Sequence, residues 1–358
     1  MSNEQACTMK KTSIGGQALI EGVMMRGPQR TAMAVRHTSG EIRMEEWDNP
    51  APKRPGITKW PLVRGVFNYI DSMRYGYKCL MRSAELCGLE DELEEALEEE
   101  KKEKAAKEAV VEETVPAVVK SVGGAPATEE EPVADAPAGQ KKPKDSKASA
   151  MMNVVMVVGM VLGVVLAMVL FIWLPIQLFN LLVKVWEPLD NRYIRGIFEG
   201  VLRIVIFLGY MVAVSRMKDI RRTFQYHGAE HKTIFCYEKG LPLTVENVRL
   251  QKRFHPRCGT SFLVLMLLVG IVISILIPIN HAVLRTVIKL LLLPLTVGVG
   301  YELIKLAGRK DNLFTRIISA PGLWMQRLTT IEPDDGMIEC AIKALEAVIP
   351  EDPEADKW

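Results

Sequence analysis

Two long stretches of this chain contain no charged side chain, and they decide what it can fold into. Residues 151–183 and 258–284 are free of Asp, Glu, Lys and Arg. A helix of roughly 20 residues crosses about 30 Å of hydrocarbon, so each stretch is long enough to span a bilayer. Backbone polar groups in lipid must be satisfied within the segment, which selects helix. Each stretch is followed by a weaker candidate, residues 204–215 and 290–301, uncharged for only 12 residues. Twelve helical residues reach about 18 Å. These segments cross only if flanking charges enter the membrane and find a partner or water: Arg195, Glu199 and Arg203 in one, Arg285, Lys289 and Glu302 in the other. Glu199 and Arg203 stand at i,i+4 and can pair; the alternative is that these side chains snorkel to the surface. The expected class is an α-helical polytopic membrane protein with about four transmembrane helices in two hairpins, each a long clean helix and a short charged one. Two short segments at matching positions point to a polar cavity between the halves. Pro175 is expected to bend residues 176–186 into the interface.

The formal net charge of +2 hides a segmental distribution. Residues 90–100 are acidic, whereas ten Lys/Arg lie between Arg216 and Arg257. The first hairpin turn holds little more than Lys184 and Arg192. The positive-inside rule therefore places 216–257, and both termini, in the cytoplasm. Neither charge block signals nucleic acid by itself, because no aromatic–basic interleaving accompanies it. The six cysteines form no C-x-x-C pair, which fits a reducing compartment. No apolar core follows the N-terminus, so no cleavable signal peptide is expected.

The remaining sequence divides by composition. Residues 1–89 form an N-terminal cytoplasmic unit. Gly15-Gly16, Gly22 and Gly27-Pro28 punctuate it, and an alternating run from Thr31 turns at Ser39-Gly40, which predicts a small β-hairpin. Leu62, Val66, Tyr69, Met73, Tyr77 and Leu80 then recur at helical spacing, the pattern of an amphipathic helix packed on that unit or lying in the membrane interface. Residues 90–149 are Glu/Lys/Ala-rich, then Ala/Pro-rich, and predict a disordered tether. Beyond it come the first hairpin (150–215), the basic cytoplasmic loop (216–257), the second hairpin (258–308) and a helical C-terminal tail (309–358). In that tail Pro333-Asp334-Asp335-Gly336 reads as a helix start. Glu21, among apolar neighbours, is expected to pair with Arg26.

The chemistry concentrates in the basic stretch. His227-Gly-Ala-Glu230-His231 has the H-x-x-E-H order of the inverted zinc peptidases, which aims two imidazoles at one point beside a carboxylate. His255-Pro-Arg-Cys258 follows just before the second clean stretch, Cys236 lies five residues past His231, and Glu302 stands near the cytoplasmic end of the fourth crossing. Zinc takes imidazole, thiolate and carboxylate, and a catalytic site uses three protein ligands with an open position. His227 and His231 supply two; Cys258, His255 or Glu302 supplies the third; Glu230 is the general base. The rival is a closed site of His227, His231, His255 and Cys258, which staples a loop and catalyses nothing. Two features argue against a helical motif. Gly228 weakens a helix, and Thr233-Ile-Phe-Cys-Tyr237 reads as strand.

Four strings in order carry a resemblance: GGQALIEGVMMRGP at 15–28, YHGAEHK at 226–232, HPRCGT at 255–260 and PGLWMQRLTTIEP at 321–333. Together they resemble the YqhQ-like bacterial membrane proteins, a domain-of-unknown-function family whose members are often labelled predicted metal-dependent enzymes. The resemblance implies residence in the bacterial inner membrane, and for the metal label it points to His227, Glu230, His231, His255 and Cys258. The acidic, Ala/Pro-rich insertion departs from the pattern and is expected to be dispensable. Two functions are thus expected: a zinc-dependent hydrolase acting at the cytoplasmic membrane face, or a non-enzymatic scaffold or membrane-protein assembly factor with structural zinc. The bilayer is the expected partner of both. The basic loop would meet an acidic protein, lipid head groups or ribosomal RNA. A transporter is a third reading and requires an oligomer, since four crossings are few.

Overall fold

A computed structural model describes residues 11–49, 55–88, 147–189, 191–277, 279, 281–309, 312–352 and 354–357. The expected tether, 90–149, lies outside the described residues up to position 146. The chain divides into two compact units, one made of residues 1–90 and 169–358, the other of residues 91–168. In the second unit the described element is one helix, α2 (Lys147–Met168).

The first unit contains a four-stranded antiparallel sheet, β1 (Gly15–Leu19), β2 (Gly22–Arg26), β3 (Arg30–Arg36) and β4 (Ile42–Asp48), in sequential order. The expected hairpin is its β3–β4 half, paired from Arg30↔Asp48 to Arg36↔Ile42. A strand points successive side chains to opposite faces, and here both faces are covered. Val23, Met25, Ala32 and Ala34 join Tyr226, Ala229, Ile338 and Leu345 in one core. Met24, Met33 and Val35 join Leu19, Cys79 and Cys87 in the other. The first core belongs to α5 (Lys218–Glu238), α6 (Val245–Arg249) and α11 (Asp335–Glu346), the second to α1 (Val63–Leu86). Asp334 caps α11 by accepting from Met337 N–H at 2.8 Å, as the acidic start predicted.

α1 packs on the sheet, one of its two expected settings, but not through its whole apolar stripe. Its inner face is made of small residues, Gly65, Gly76, Cys79 and Ser83, while Met73 and Tyr77 are about half exposed at 53% and 48%. Close approach decides this: a side chain at Gly65 would meet Tyr301, and one at Gly76 would meet Gln17. Glu21 also departs from expectation. It sits at φ 51° in the β1–β2 turn, and both its carboxylate oxygens accept from Arg222 at 2.5 Å. Arg26 instead lies over the Tyr75 ring at 4.9 Å.

Among the described residues, three helical stretches are long and apolar enough to cross a membrane: Val158–Val185, Tyr193–Val214 and Gly259–Leu276. A fourth, Val283–Leu291 with Leu293–Gly308, is bent by 45° and is a broken span or a re-entrant pair. Along the first, a π-helical turn at Val169–Trp173 leads into α3 (Leu174–Val185). Pro175 stands in the first turn of α3, where a proline is tolerated because the N–H there needs no helical partner. α4 (Arg192–Val214) has 23 residues, against the 12 that its uncharged core suggested. Two of its charges, Glu199 and Arg203, pair with each other along the helix. α7 (Gly259–Leu276), α8 (Ala282–Leu291), α9 (Leu293–Arg309) and α10 (Leu313–Thr329) complete the set.

Candidate metal centre

The H-x-x-E-H sequence lies in the middle of α5, and the strand expected at Thr233–Tyr237 is helix. Tertiary burial overrides β-propensity: Tyr226, Ala229 and Ile234 pack on the sheet and require period 3.6. Gly228 is the means of docking this helix. A Cβ there would lie 2.1 Å from the Ile331 carbonyl oxygen, and Ile331 N–H donates to Phe224 C=O at 2.9 Å. Only glycine lets the 329–333 segment press onto α5. Gly228→Ala is expected to push that segment away and destabilise the fold by about 1–3 kcal/mol. Thermal unfolding measures it, and an unchanged midpoint would show that the contact is dispensable.

That segment also orients the first imidazole. His227 Nδ1 lies 2.8 Å from the Thr329 carbonyl oxygen, and His231 Nδ1 lies 2.5 Å from the Arg253 carbonyl oxygen. A carbonyl can only accept, so both Nδ1 atoms carry a proton and each Nε2 is the atom left for a ligand. Cys258, the N-cap of α7, comes to meet them, its Sγ 3.1 Å from His227 Nε2. His227, His231 and Cys258 offer ligand atoms that all lie within 4.8 Å of one another. Two imidazoles and a thiolate suit zinc by number and by type.

The electrostatics follow from burial and proximity. Burial alone pushes the Cys258 thiol up, but the facing His227 and His231 rings overcome it and hold it well below the ordinary thiol value. Burial pulls His227 down, yet Cys258 and then Glu230 more than reverse this and bring it to about 9. Glu230 is 5% exposed, with Oε2 4.0 Å from His227 Nε2. Burial raises its pKa against the pull of His231 and His227 and of a hydrogen bond from Gly16 N–H. Gly16 closes over this carboxylate so tightly that a Cβ would lie 2.6 Å from Glu230 Cγ. On the other side Gly16 lines a polar cleft of about 320 Å³ with Gln17, Arg26, Ser72 and Tyr75.

The other candidates are held elsewhere. Glu302, expected as a possible third ligand, is gripped by Arg64: Nε donates to Oε1 at 2.7 Å and a second guanidinium nitrogen to Oε2. The bidentate fork occupies both oxygens and ties α1 to α9, so Glu302 stands outside the group. His255 stands beside it, 5.6 Å ring to ring from His231, but its Nε2 faces Glu238 Oε2 at 3.6 Å. Its backbone is clamped by Gln326, which accepts from His255 N–H and donates to His255 C=O, both at 2.7 Å. Cys236 is buried with Sγ toward the Pro242 carbonyl oxygen at 3.5 Å, and burial raises its thiol. Glu238, absent from the sequence reading, carries the second layer: it faces His255 and Arg257 and accepts from Thr12 N–H at 2.9 Å. It lies seven residues past His231, two helical turns along the same face, a signal hidden by reading this stretch as strand. The basic block is also less open than its composition implied. Among the described residues, Arg222, Lys232, Arg249, Arg253 and Arg257 form ion pairs within the chain.

The family model described as "Protein of unknown function (DUF1385)" matches residues 60–351. The chain belongs to the DUF1385 family. A relative, "Uncharacterized protein YqhQ" of Bacillus subtilis (strain 168), is 32% identical over 340 residues, covering 94% of this chain and 92% of the relative. The YqhQ-like resemblance read from the four strings is thereby shown. No solved structure matches the chain. Every ligand atom of the candidate centre lies within the matched DUF1385 region, whereas Gly16 precedes it.

Proposed function

We propose that this DUF1385 protein is a bacterial inner-membrane metal protein whose His227–His231–Cys258 centre serves hydrolysis at the cytoplasmic membrane face. One observation carries the reading. Three soft and borderline donors converge while a fourth, buried acid, Glu230, stands beside them with a raised pKa. The closed alternative needs His255 as its fourth donor, and Glu238 and Arg257 engage that ring. Zinc, when bound there, supplies Lewis-acid charge to a carbonyl. Glu230 then takes a proton from the attacking water and returns it to the departing amine or alcohol. The Gly16 N–H keeps the carboxylate aimed. The two carbonyl-bound imidazoles keep their tautomers throughout. The positive-inside asymmetry orients this face to the cytoplasm.

Glu230→Gln tests the reading against the scaffold alternative. Full-length protein is purified, its zinc is quantified, and hydrolysis of chromogenic ester and peptide probes is followed. The variant is expected to retain zinc and to lose turnover by about 10²–10⁴-fold. Zinc retained with undiminished turnover would exclude Glu230 as the base. Zinc lost from the variant would make Glu230 a ligand of a closed, structural site.

A further inference from the structure

A second constellation lies inside the membrane-spanning helices. Glu199 of α4 is fully buried and faces three cations: Arg203 at 3.3 Å, Arg285 at 3.5 Å and the Lys289 ammonium. Backbone carbonyls supply further acceptors. Arg203 donates to Phe171 C=O in the π-helical turn at 2.8 Å, and Arg285 donates to Ser274 C=O at 3.0 Å and Ile279 C=O at 3.1 Å. Carbonyls solvate a cation without neutralising it. Three cations face this one carboxylate, and Arg195, also buried, lies within electrostatic reach of Arg285, so positive charge outnumbers the carboxylate among the described residues. Uncompensated charge at this depth is expensive.

Two of those cations open onto a groove. Arg203 and Lys289 line a cavity of about 390 Å³ whose other walls are apolar, with Phe171, Met266, Leu263 and Leu293 among them. That volume falls in the range of small-molecule sites, roughly 300–1,000 Å³. Its rim is on the outer surface of the helices, where Leu263 and Leu293 are about half exposed. The groove also abuts the break between α8 and α9, the kind of interruption at which membrane proteins place ligands.

We propose that this groove binds a lipid bearing a phosphate monoester, with its hydrocarbon chain along the apolar wall and its phosphate on Arg203 and Lys289. The charge balance selects the head group. A phosphate monoester carries about −1.5 to −2 at neutral pH and offsets excess cationic charge best, whereas a phosphodiester carries one charge and a zwitterionic head none. The apolar wall selects a lipid over free phosphate. The site is separate from the metal centre and does not depend on its chemistry.

The test uses the purified full chain in a neutral detergent, with binding read by native mass spectrometry. The probes are dioleoyl phosphatidic acid, dioleoyl phosphatidylglycerol, dioleoyl phosphatidylcholine, oleate and inorganic phosphate. Phosphatidic acid is expected to bind as one copy, roughly tenfold tighter than phosphatidylcholine and ahead of phosphatidylglycerol. Lys289→Gln is expected to abolish that preference. Leu263→Trp fills the groove from its exposed rim without touching the ion cluster, and is expected to block phosphatidic acid even if the Lys289 variant fails to fold. Equal binding of phosphatidic acid and phosphatidylcholine would overturn the proposal. So would oleate or inorganic phosphate binding as tightly as phosphatidic acid, or phosphatidic acid binding unchanged in Leu263→Trp.

Discussion

His227→Ala and Cys258→Ser are each expected to take the purified protein from about one zinc per chain to none, because a catalytic zinc site has only three protein ligands to lose from. Elemental analysis after dialysis checks this, with Glu302→Gln as the control. The control is expected to keep its metal, since Arg64 and not the centre holds that carboxylate. A Glu302 variant that lost zinc while remaining folded would overturn the assignment of Cys258 as third ligand. The pH dependence has a definite sign. In the metal-free chain His227 titrates at about 9, so its Nε2 is protonated across the physiological range. Metal must displace that proton, and affinity therefore falls as pH falls below 9. One displaced proton gives about a tenfold change per pH unit. Cys258, already held far below the ordinary thiol range, contributes little to this slope near neutrality.

The second large effect is structural. Glu238→Ala removes a carboxylate 2% exposed that faces Arg257, His255 and the Thr12 N–H. It also removes the carboxylate that pairs with the Arg257 guanidinium, itself 9% exposed. Breaking a buried pair by deleting one partner is expected to cost about 3–5 kcal/mol. Chemical or thermal unfolding in detergent measures the loss, and a change below about 1 kcal/mol, the size of a surface pair, would show that the cluster is not stabilising. Acid sensitivity separates the charge from the packing. Burial alone raises the Glu238 carboxyl, but hydrogen bonding to His255, the Arg257 charge and Thr12 N–H bring it below its ordinary value. A carboxyl lowered in the folded state contributes stability above its unfolded pKa of about 4.3 and loses it as pH falls through the folded value. His255 is lowered by burial first, with His231 and Arg257 adding to it against Glu238. Its contribution is present above about 6.5 and drains away as pH falls, because the unfolded ring takes up a proton that the folded one resists. Wild type is thus expected to lose stability from near pH 6.5 downward, with a second loss below about pH 4.3 that is smaller in Glu238→Gln, where the Glu302 carboxyl held by Arg64 still contributes.

How legible the centre was depended on which residues lie on one element. His227, Glu230 and His231 are neighbours on one helix, so their spacing alone brings them together, and both carboxylate and imidazoles were found by motif. Cys258 was one of three open choices. The decision between it, His255 and Glu302 rests on Arg64, Glu238 and Gln326, which lie far away along the chain. Gly228 shows the same limit from the other side. Read locally it weakens a helix, yet the carbonyl of Ile331 makes it the one residue that lets α5 dock. The strand reading of Thr233–Tyr237 failed because β-branched and aromatic side chains there pack on a sheet as a helix face.

The sequence by itself determined that this chain forms helices long and apolar enough to cross a membrane. Uncharged runs longer than a bilayer leave helix as the only backbone that satisfies itself in lipid, and alternating residues around Ser39-Gly40 define a hairpin through period-2 geometry. Family membership was equally written in the four strings. The tertiary structure decided what happens to charge. Whether Glu199, Arg285 and Lys289 snorkel or gather, and whether Glu302 binds a metal or an arginine, depends on partners brought within about 4 Å by other helices. Hydrophobic pattern is a property of one segment, so a segment reveals it. Electrostatic pairing is a property of distance in space, and only the packed fold sets that distance.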